Sequence, residues 1–291
     1  MNRQLNLFGE ESTTTVLTNV ASVPQRSPFR YPGGKTWLIP VVRQWLKQER
    51  KPVVELIEPF AGGGIVSLTA AFEKLSEHII MIEKDEEIAA VWEVLLNDKN
   101  KWLADKIISY NLTIENIRAE LGKTDKQLHE VAFCTILKNR IFHGGILAKG
   151  SGMIKNGENG KGITSRWYPK TLHDRIIAIN YVKEKIQFIA GDAFDMLEEK
   201  QTDKNAYFFI DPPYTVAGKR LYNYSDVDHE RIFALASKLK GKFMLTYDNT
   251  EEIRQLANKY HLAYKTIPMK TTHHFKKMEM IISDNFGWWE Q

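Results

Sequence analysis

Residues 53–64 read VVELIEPFAGGG, and this stretch decides the fold. A short apolar run, Val53–Ile57, ends in a Glu-Pro pair and three glycines. The residues that follow, IVSLTAAFEKL, have the apolar spacing of an amphipathic helix. A buried strand that passes through a glycine turn into a helix is typical of a parallel, doubly wound α/β sheet.

The rest of the chain repeats this alternation of strand and helix. Four further apolar runs are bounded by polar or turn residues: His78–Glu83, Ile186–Ala190, Tyr207–Ile210 and Lys242–Thr246. Runs of Val, Ile and Phe without polar alternation indicate strands that are covered on both faces. We therefore predict an α/β fold with a doubly wound sheet.

Composition excludes several classes of protein. The chain has 291 residues, 43% of them hydrophobic and 26% charged, as in ordinary globular proteins. Its single cysteine, Cys134, excludes a disulfide framework and an all-cysteine metal site. No stretch approaches the ~20 apolar residues that cross a bilayer, and the first residues lack the apolar run of a secretory signal. We expect a cytoplasmic monomer without a membrane partner.

The middle of the chain differs from both ends. Residues 100–137 are expected to be helical. The basic segment that follows, residues 138–170, holds seven of the 18 glycines and carries five lysines and two arginines against one glutamate. Because long irregular segments inside compact domains are usually functional or disordered, this one is a candidate for a binding surface.

The strongest chemical motif is DPPY, residues 211–214, directly after the run YFFI. Ligands of open α/β sheets bind beyond the carboxyl ends of strands, and two prolines hold the backbone extended there. The Asp211 carboxylate and the Pro212 carbonyl could accept the two N–H groups of an exocyclic amine, while Tyr214 stacks on the ring. The alternative is a strand-ending turn with a capping aspartate.

Two other motifs indicate a bound ligand. The glycine loop, residues 58–64, lets a ligand approach the backbone, and Glu83 ends the next strand, where an acidic residue would receive a ribose. The N-terminal motif, RYPGGK at residues 30–35, lacks the spacing of a phosphate-binding loop. Taken alone, either motif could be a structural turn.

Together, RYPGGK, EPFAGGG and DPPY resemble the Dam-like, alpha-class DNA adenine-N6 methyltransferases over residues 28–286. The resemblance implies a Rossmann-like methyltransferase sheet with an inserted target-recognition lobe, and S-adenosylmethionine as cofactor. It assigns catalysis to Asp211, Pro212, Pro213 and Tyr214. It assigns cofactor contacts to Tyr31, Lys35, Glu58, Phe60, Gly62, Gly64, Glu83, Asp192 and Asp211. Lys35 would meet the methionine carboxylate, and Asp192 would lie near the cofactor adenine.

The same resemblance assigns the basic segment to double-stranded DNA. It implies a catalytic domain at residues 27–105 and 186–291 and a target-recognition domain at residues 106–185. Residues 1–26 are rich in Ser, Thr, Asn and Gln and have no lasting periodicity, so we predict a mobile tail there. Contacts with phosphates or guanine edges are expected from Arg140, Lys149, Lys155, Lys161 and Arg166, and from Lys276 and Lys277 in a turn between two late strands. His273 and His274 beside them lack the partners of a metal site, so no metal is expected.

Three other functions compete with this interpretation. A D/N-P-P-Y motif also serves methyltransferases that act on RNA or on protein amides, although the protein-amide enzymes typically carry Asn at the position of Asp211. A catalytically silent DNA-binding module would not need the full set of cofactor residues. Methylation of cytosine C5 needs a nucleophilic cysteine, and Cys134 lies in a helical stretch outside any such motif.

The N-terminal tail carries one more pattern. Residues 4–8, QLNLF, resemble the short peptide with which many bacterial proteins bind the replication sliding clamp. Gln4, Leu5, Leu7 and Phe8 would enter a hydrophobic groove as an extended segment. The alternative is a tail without a partner.

Overall fold

A computed structural model describes residues 22–31, 33–157, 160–214, 223–224, 226–270 and 276–289. The centre of the fold is a seven-stranded sheet in the order β3-β2-β1-β4-β5-β7-β6. The strands are β1 (Val53–Glu58), β2 (Ser76–Glu83), β3 (Ile186–Ala190), β4 (Ala206–Ile210), β5 (Lys242–Asp248), β6 (Ala263–Lys270) and β7 (Lys276–Ser283). The predicted α/β class with a doubly wound sheet is confirmed.

Five strands run parallel, and their carboxyl ends meet at one edge. β1 is the middle one of these five parallel strands. Its Ile57 is paired with Ile80 of β2 on one side and with Phe208 of β4 on the other. β7 enters antiparallel between β5 and β6. The residues that follow β1, β2 and β4 are therefore brought together at the edge where α/β proteins bind ligands.

Helices cover both faces of the sheet. They are α1 (Ile39–Leu46), α2 (Ile65–Phe72), α3 (Glu86–Leu96), α4 (Asn100–Ser109), α5 (Ile114–Gly122), α6 (Leu128–Ile141), α7 (Pro169–Ile179), α8 (Ala193–Glu199), α9 (His229–Ala236) and α10 (Glu251–Lys259). One core packs α1–α7 on one face, and a second core packs α8–α10 on the other. Within β5, Met244 belongs to the first core and Leu245 to the second, which explains why the strands read as unbroken apolar runs.

The inserted lobe consists of α4–α7 with the basic segment, between α3 and β3. It packs on the rest through α3, which contacts α6, while α4 contacts α7. The buried side chain of Asn100 connects these helices, because its Nδ2 donates to the carbonyls of Leu95, at 2.8 Å, and Ile176, at 3.0 Å. The domain boundary predicted at residues 105–106 lies inside α4.

The N-terminal tail predicted over residues 1–26 needs a correction at its end. Val23 is buried in the first core. The Arg26 guanidinium lies 3.4 Å from a Glu73 carboxylate oxygen and 4.5 Å from the centre of the Phe72 ring. These contacts attach residues 23–26 to the domain. The clamp-like residues 4–8 and His273 and His274 lie outside the described residues.

Lys276 and Lys277 begin β7 and so belong to the strand rather than to the preceding turn. Within the described part of the chain, no helix has both the length and the apolar character that a membrane span requires.

Candidate active site at the carboxyl edge of the sheet

The glycine loop is held between two aromatic side chains. Gly62 and Gly64 have φ angles of +46° and +60°, which other residues rarely adopt. A Cβ atom on Gly62 would lie 2.6 Å from the Tyr31 ring, and one on Gly64 would lie 2.5 Å from Trp92. Trp92 also donates from its indole nitrogen to the Gly62 carbonyl at 2.9 Å. The loop therefore needs glycine for both its conformation and its close packing.

Glu83 fixes this loop from the end of β2. One of its oxygens accepts from the Gly62 N–H at 2.9 Å, and the other accepts from the N–H groups of Lys84 and Asp85, both at 2.9 Å. Burial raises the pKa of Glu83 to about 7, although these three donors favour the charged form. The carboxyl group predicted to bind a ribose is thus aligned by backbone donors.

Glu58 is buried at the end of β1. Its Oε2 accepts from the backbone N–H of Ser67 at 3.0 Å and from the Ser67 hydroxyl. Burial raises the pKa of Glu58 to about 8, and the hydrogen bonds from Ser67 only partly oppose the shift. Glu58 therefore holds a proton at neutral pH more readily than an exposed glutamate does.

Asp211 lies between a cation and a hydroxyl group. Its Oδ1 is 2.8 Å from the Lys35 ammonium nitrogen and accepts from the Thr246 hydroxyl at 2.6 Å. Lys35 also donates to the Gly33 carbonyl at 2.8 Å. A direct ion pair thus joins the N-terminal motif to the DPPY motif, although the two are widely separated in sequence.

Tyr214 contacts both an acidic side chain and an aromatic ring. Its hydroxyl donates to Oε2 of the buried Glu279 at 2.7 Å. Its ring stacks on Tyr247 with centroids 5.9 Å apart, and Tyr247 in turn stacks on Phe233. Burial raises the pKa of Tyr214 well above its usual value, so the phenol remains neutral.

A cavity of about 300 Å³ opens beside these motifs. All nine residues predicted to contact the cofactor line it: Tyr31, Lys35, Glu58, Phe60, Gly62, Gly64, Glu83, Asp192 and Asp211. Of the other catalytic candidates, Pro213 lines the cavity as well. Asp192 lies at its rim, where one oxygen accepts from the Phe194 N–H and the other pairs with the Lys84 ammonium at 2.7 Å.

The predicted DNA-contacting residues fall into two groups. Lys149, Lys155 and Lys161 are exposed and Arg166 is half-buried. Arg140, in contrast, is buried, its guanidinium donates to the Pro28 carbonyl, and burial lowers its pKa to about 10. Arg140 belongs to the last turn of α6, and its side chain is directed inward to the Pro28 carbonyl. We therefore correct its assignment: Arg140 holds the backbone at Pro28 and does not contact DNA.

Sequence reasoning missed four residues of this site. Thr246 of β5 and Glu279 of β7 orient the DPPY motif. Trp92 supports the glycine loop, and Asn139 binds the backbone of the N-terminal motif. Only Asn139 left a signal, because it directly precedes Arg140, which the sequence analysis singled out.

Several solved structures are similar to this one. Precorrin-6Y C5,15-methyltransferase from Geobacter metallireducens matches at 10% sequence identity and a TM-score of 0.37. The match covers 85% of this chain and 87% of the other. The METTL16 methyltransferase domain matches at 8% identity, with 86% and 68% covered and a TM-score of 0.43. The rRNA methyltransferase AviRa from Streptomyces viridochromogenes matches at 14% identity, with 86% and 83% covered and a TM-score of 0.37.

No curated protein matches the sequence. A family model does match it: the D12 class N6 adenine-specific DNA methyltransferase model aligns with residues 31–108 and 147–272. The aligned parts include the glycine loop, Asp192 and the DPPY motif, and they omit the whole of α5 and α6.

Proposed function

This chain belongs to the D12 class N6 adenine-specific DNA methyltransferase family, and on that premise we propose that it transfers a methyl group from S-adenosylmethionine to adenine N6 in double-stranded DNA. The observation that carries the proposal is the position of Asp211. It follows β4 at the ligand-binding edge, lines the cavity and is oriented by Lys35 and Thr246. Both of these contacts fall on Oδ1, so we assign Oδ2 to the amino group of the substrate.

The cavity fits S-adenosylmethionine in size and in chemistry. Its volume lies at the lower end of the range for small-molecule sites, about 300–1,000 Å³. We assign the ribose hydroxyls to Glu83, the methionine carboxylate to Lys35 and the edge of the adenine to Asp192. Gly62 and Gly64 present backbone instead of side chain to the ligand, while Tyr31, Glu58 and Phe60 form the remaining walls. When bound, this cofactor supplies an electrophilic methyl group.

The DPPY motif would make the adenine amine nucleophilic and aim it. A base inside a duplex keeps N6 hydrogen-bonded, so we infer that the target adenine is flipped into the pocket. The Asp211 carboxylate and the Pro212 carbonyl each accept a hydrogen bond from one of the two N6–H groups, and Pro213 keeps this turn rigid. These bonds localise the nitrogen lone pair, while Tyr214 holds the ring by stacking. Catalysis would rest on orientation and electrostatics. In a direct transfer the bond between N6 and the methyl carbon would form as the bond from that carbon to sulfur breaks, S-adenosylhomocysteine would leave, and N6 would release one proton to solvent.

The first prediction concerns Asp211. The Asp211→Ala variant loses an acceptor that both orients and polarises N6, so we expect the rate of methylation to fall by at least about 100-fold. Asp195→Ala, at an exposed position of α8, is the matched control and should retain wild-type activity. The measurement is nucleoside mass spectrometry of unmethylated DNA of mixed sequence after incubation with S-adenosylmethionine.

Equal N6-methyladenine from wild type and Asp211→Ala would contradict the catalytic assignment. Wild-type protein that methylates RNA of mixed sequence but not DNA would overturn the assignment of the substrate.

The second prediction concerns the glycine loop. In Gly62→Ala the new methyl group would lie 2.6 Å from the Tyr31 ring at a φ of +46°. The ring or the loop must therefore shift, and both line the cavity. We expect the dissociation constant for S-adenosylmethionine, measured by calorimetry, to rise at least about 10-fold, or 1.4 kcal/mol. Gly122→Ala, where a Cβ meets no atom within 4 Å, is the control; equal affinities for the two variants would contradict the assignment.

The basic segment supplies the surface for DNA. Leu147 and Ala148 line the cavity, so part of the basic segment lies directly beside it. The exposed Lys149, Lys155 and Lys161 lie beyond this point. We assign them to phosphate contacts, together with Arg166 and with Lys276 and Lys277 of β7.

The third prediction uses the salt dependence of DNA binding. The double variant Lys155→Gln, Lys161→Gln should bind DNA more weakly, and the slope of log affinity against log salt should fall by about 2. Lys204→Gln with Lys240→Gln is the control pair, because these exposed lysines precede β4 and β5 at the opposite edge of the sheet. Fluorescence anisotropy at increasing NaCl concentration measures the affinity of both double variants. An equal loss of slope in the two would contradict the assignment of Lys155 and Lys161 to phosphate contacts.

Residues 4–8 give the chain a second proposed partner, the bacterial sliding clamp. Deletion of residues 1–9 should abolish binding to purified clamp in surface plasmon resonance and leave methylation of free DNA unchanged, because the described site begins later in the chain. Unchanged binding after the deletion, or no binding by the full chain, would refute this partner.

A further inference from the structure

The side chain of Asn139 connects the cofactor cavity with the basic segment. It is fully buried on α6. Its Oδ1 accepts from the Arg30 N–H at 2.8 Å, and its Nδ2 donates to the carbonyls of Arg30 at 3.1 Å and Gly145 at 2.8 Å. One amide thus binds both backbone groups of a residue in the N-terminal motif and one carbonyl of the basic segment.

On the cofactor side, these bonds determine where Tyr31 lies. Arg30 directly precedes Tyr31, whose side chain is close enough to Gly62 and Gly63 to exclude a Cβ atom from either glycine. Ser27 strengthens the contact, because its hydroxyl donates to the Gly63 carbonyl at 2.5 Å. A displacement of the Arg30 backbone would therefore move one wall of the cavity.

On the DNA side, the same amide fixes the position of Gly145, from which the exposed part of the basic segment continues. Gly145 has a φ of +76°, and a Cβ atom on it would lie 2.5 Å from the Arg30 carbonyl oxygen. Leu147 and Ala148 line the cavity two and three residues later, and the exposed Lys149 follows them. The path of the basic segment and the position of the N-terminal motif consequently depend on each other.

We propose that Asn139 is a positioning residue that couples occupancy of the cofactor cavity to the affinity of the basic segment for DNA. A ligand that fixes Tyr31 fixes Arg30, and through Asn139 it fixes Gly145 and the start of the DNA-binding surface. The neighbouring Arg140 and Arg175 bind the carbonyls of Pro28 and Ser27. Asn139 is distinguished from them by its additional bond to Gly145.

The test compares DNA affinity with and without the methylation product S-adenosylhomocysteine. The probe is a duplex containing the target site, which is mapped from the DNA that the wild-type protein methylates. The ratio of the two dissociation constants, from fluorescence anisotropy, is the coupling factor. We expect a wild-type factor in the ordinary range of about 5 to 150.

In Asn139→Asp, an oxygen replaces the amide nitrogen and faces the carbonyls of Arg30 and Gly145. We expect the coupling factor to fall below about 2 while both ligands still bind. Asn100→Asp is the matched control, because it removes the same kind of buried amide donors inside the inserted lobe, away from the cavity. It should keep the wild-type factor, which separates coupling from general destabilisation of the lobe.

If Asn139→Asp does not fold, as judged by circular dichroism, Gly145→Ala tests the same contact from its other side and should lower the factor as well. Equal coupling factors for wild type and the folded variant, or a wild-type factor of 1, would overturn the inference. It rests on the proposed function, and the two fail separately: a wild-type protein that does not methylate DNA refutes that function. One that methylates DNA without coupling through Asn139 refutes this inference alone.

Discussion

The ion pair between Lys35 and Asp211 is the interaction on which the site depends. The two side chains are 5% and 20% exposed, and their charged atoms are 2.8 Å apart. A buried charge that loses its partner is strongly destabilising, so neither group can be withdrawn without consequence for the other. This constraint holds the N-terminal motif against the carboxyl edge of the sheet, and it keeps Asp211 beside the cavity.

The same constraint explains how three acidic residues share a small volume. Asp211 has a cation at 2.8 Å and Glu83 has three backbone donors, whereas Glu58 has only Ser67 and the more distant Lys35. Burial raises the pKa of Glu58 to about 8, with a smaller contribution from the charge of Asp211, and burial raises the pKa of Glu83 to about 7. The two buried glutamates therefore hold a proton more readily than exposed glutamates do, and the cation of Lys35 is paired with Asp211, the carboxylate that follows β4.

Local sequence was sufficient for β1 to β5, because each is a short apolar run, and for the glycine loop and the DPPY turn, because their residues have special backbone requirements; it gave no run for β6 or β7. All nine cofactor candidates consequently line one cavity. Local sequence was insufficient for Thr246 and Glu279, whose partners lie 35 and 65 residues away. Local sequence also misplaced Arg140. A basic residue inside a basic segment is expected to be exposed, but Arg140 lies in the last turn of α6 and binds the Pro28 carbonyl.

The sheet forms only one wall of the cavity. Another part of the lining comes from residues 27–31 and 34–36 and from residues near Gly145, and both are attached to α6 and α7 through Asn139, Arg140 and Arg175. The helices of the inserted lobe therefore serve the cofactor cavity as well as the surface assigned to DNA. The geometry of the cavity therefore depends on hydrogen bonds from a lobe that, within the described part of the chain, contributes no strand to the sheet. The exposed lysines of this lobe can vary with little effect on the cavity, whereas the buried side chains of Asn139 and Arg140 and the side chain of Arg175 hold residues that line it or adjoin its lining.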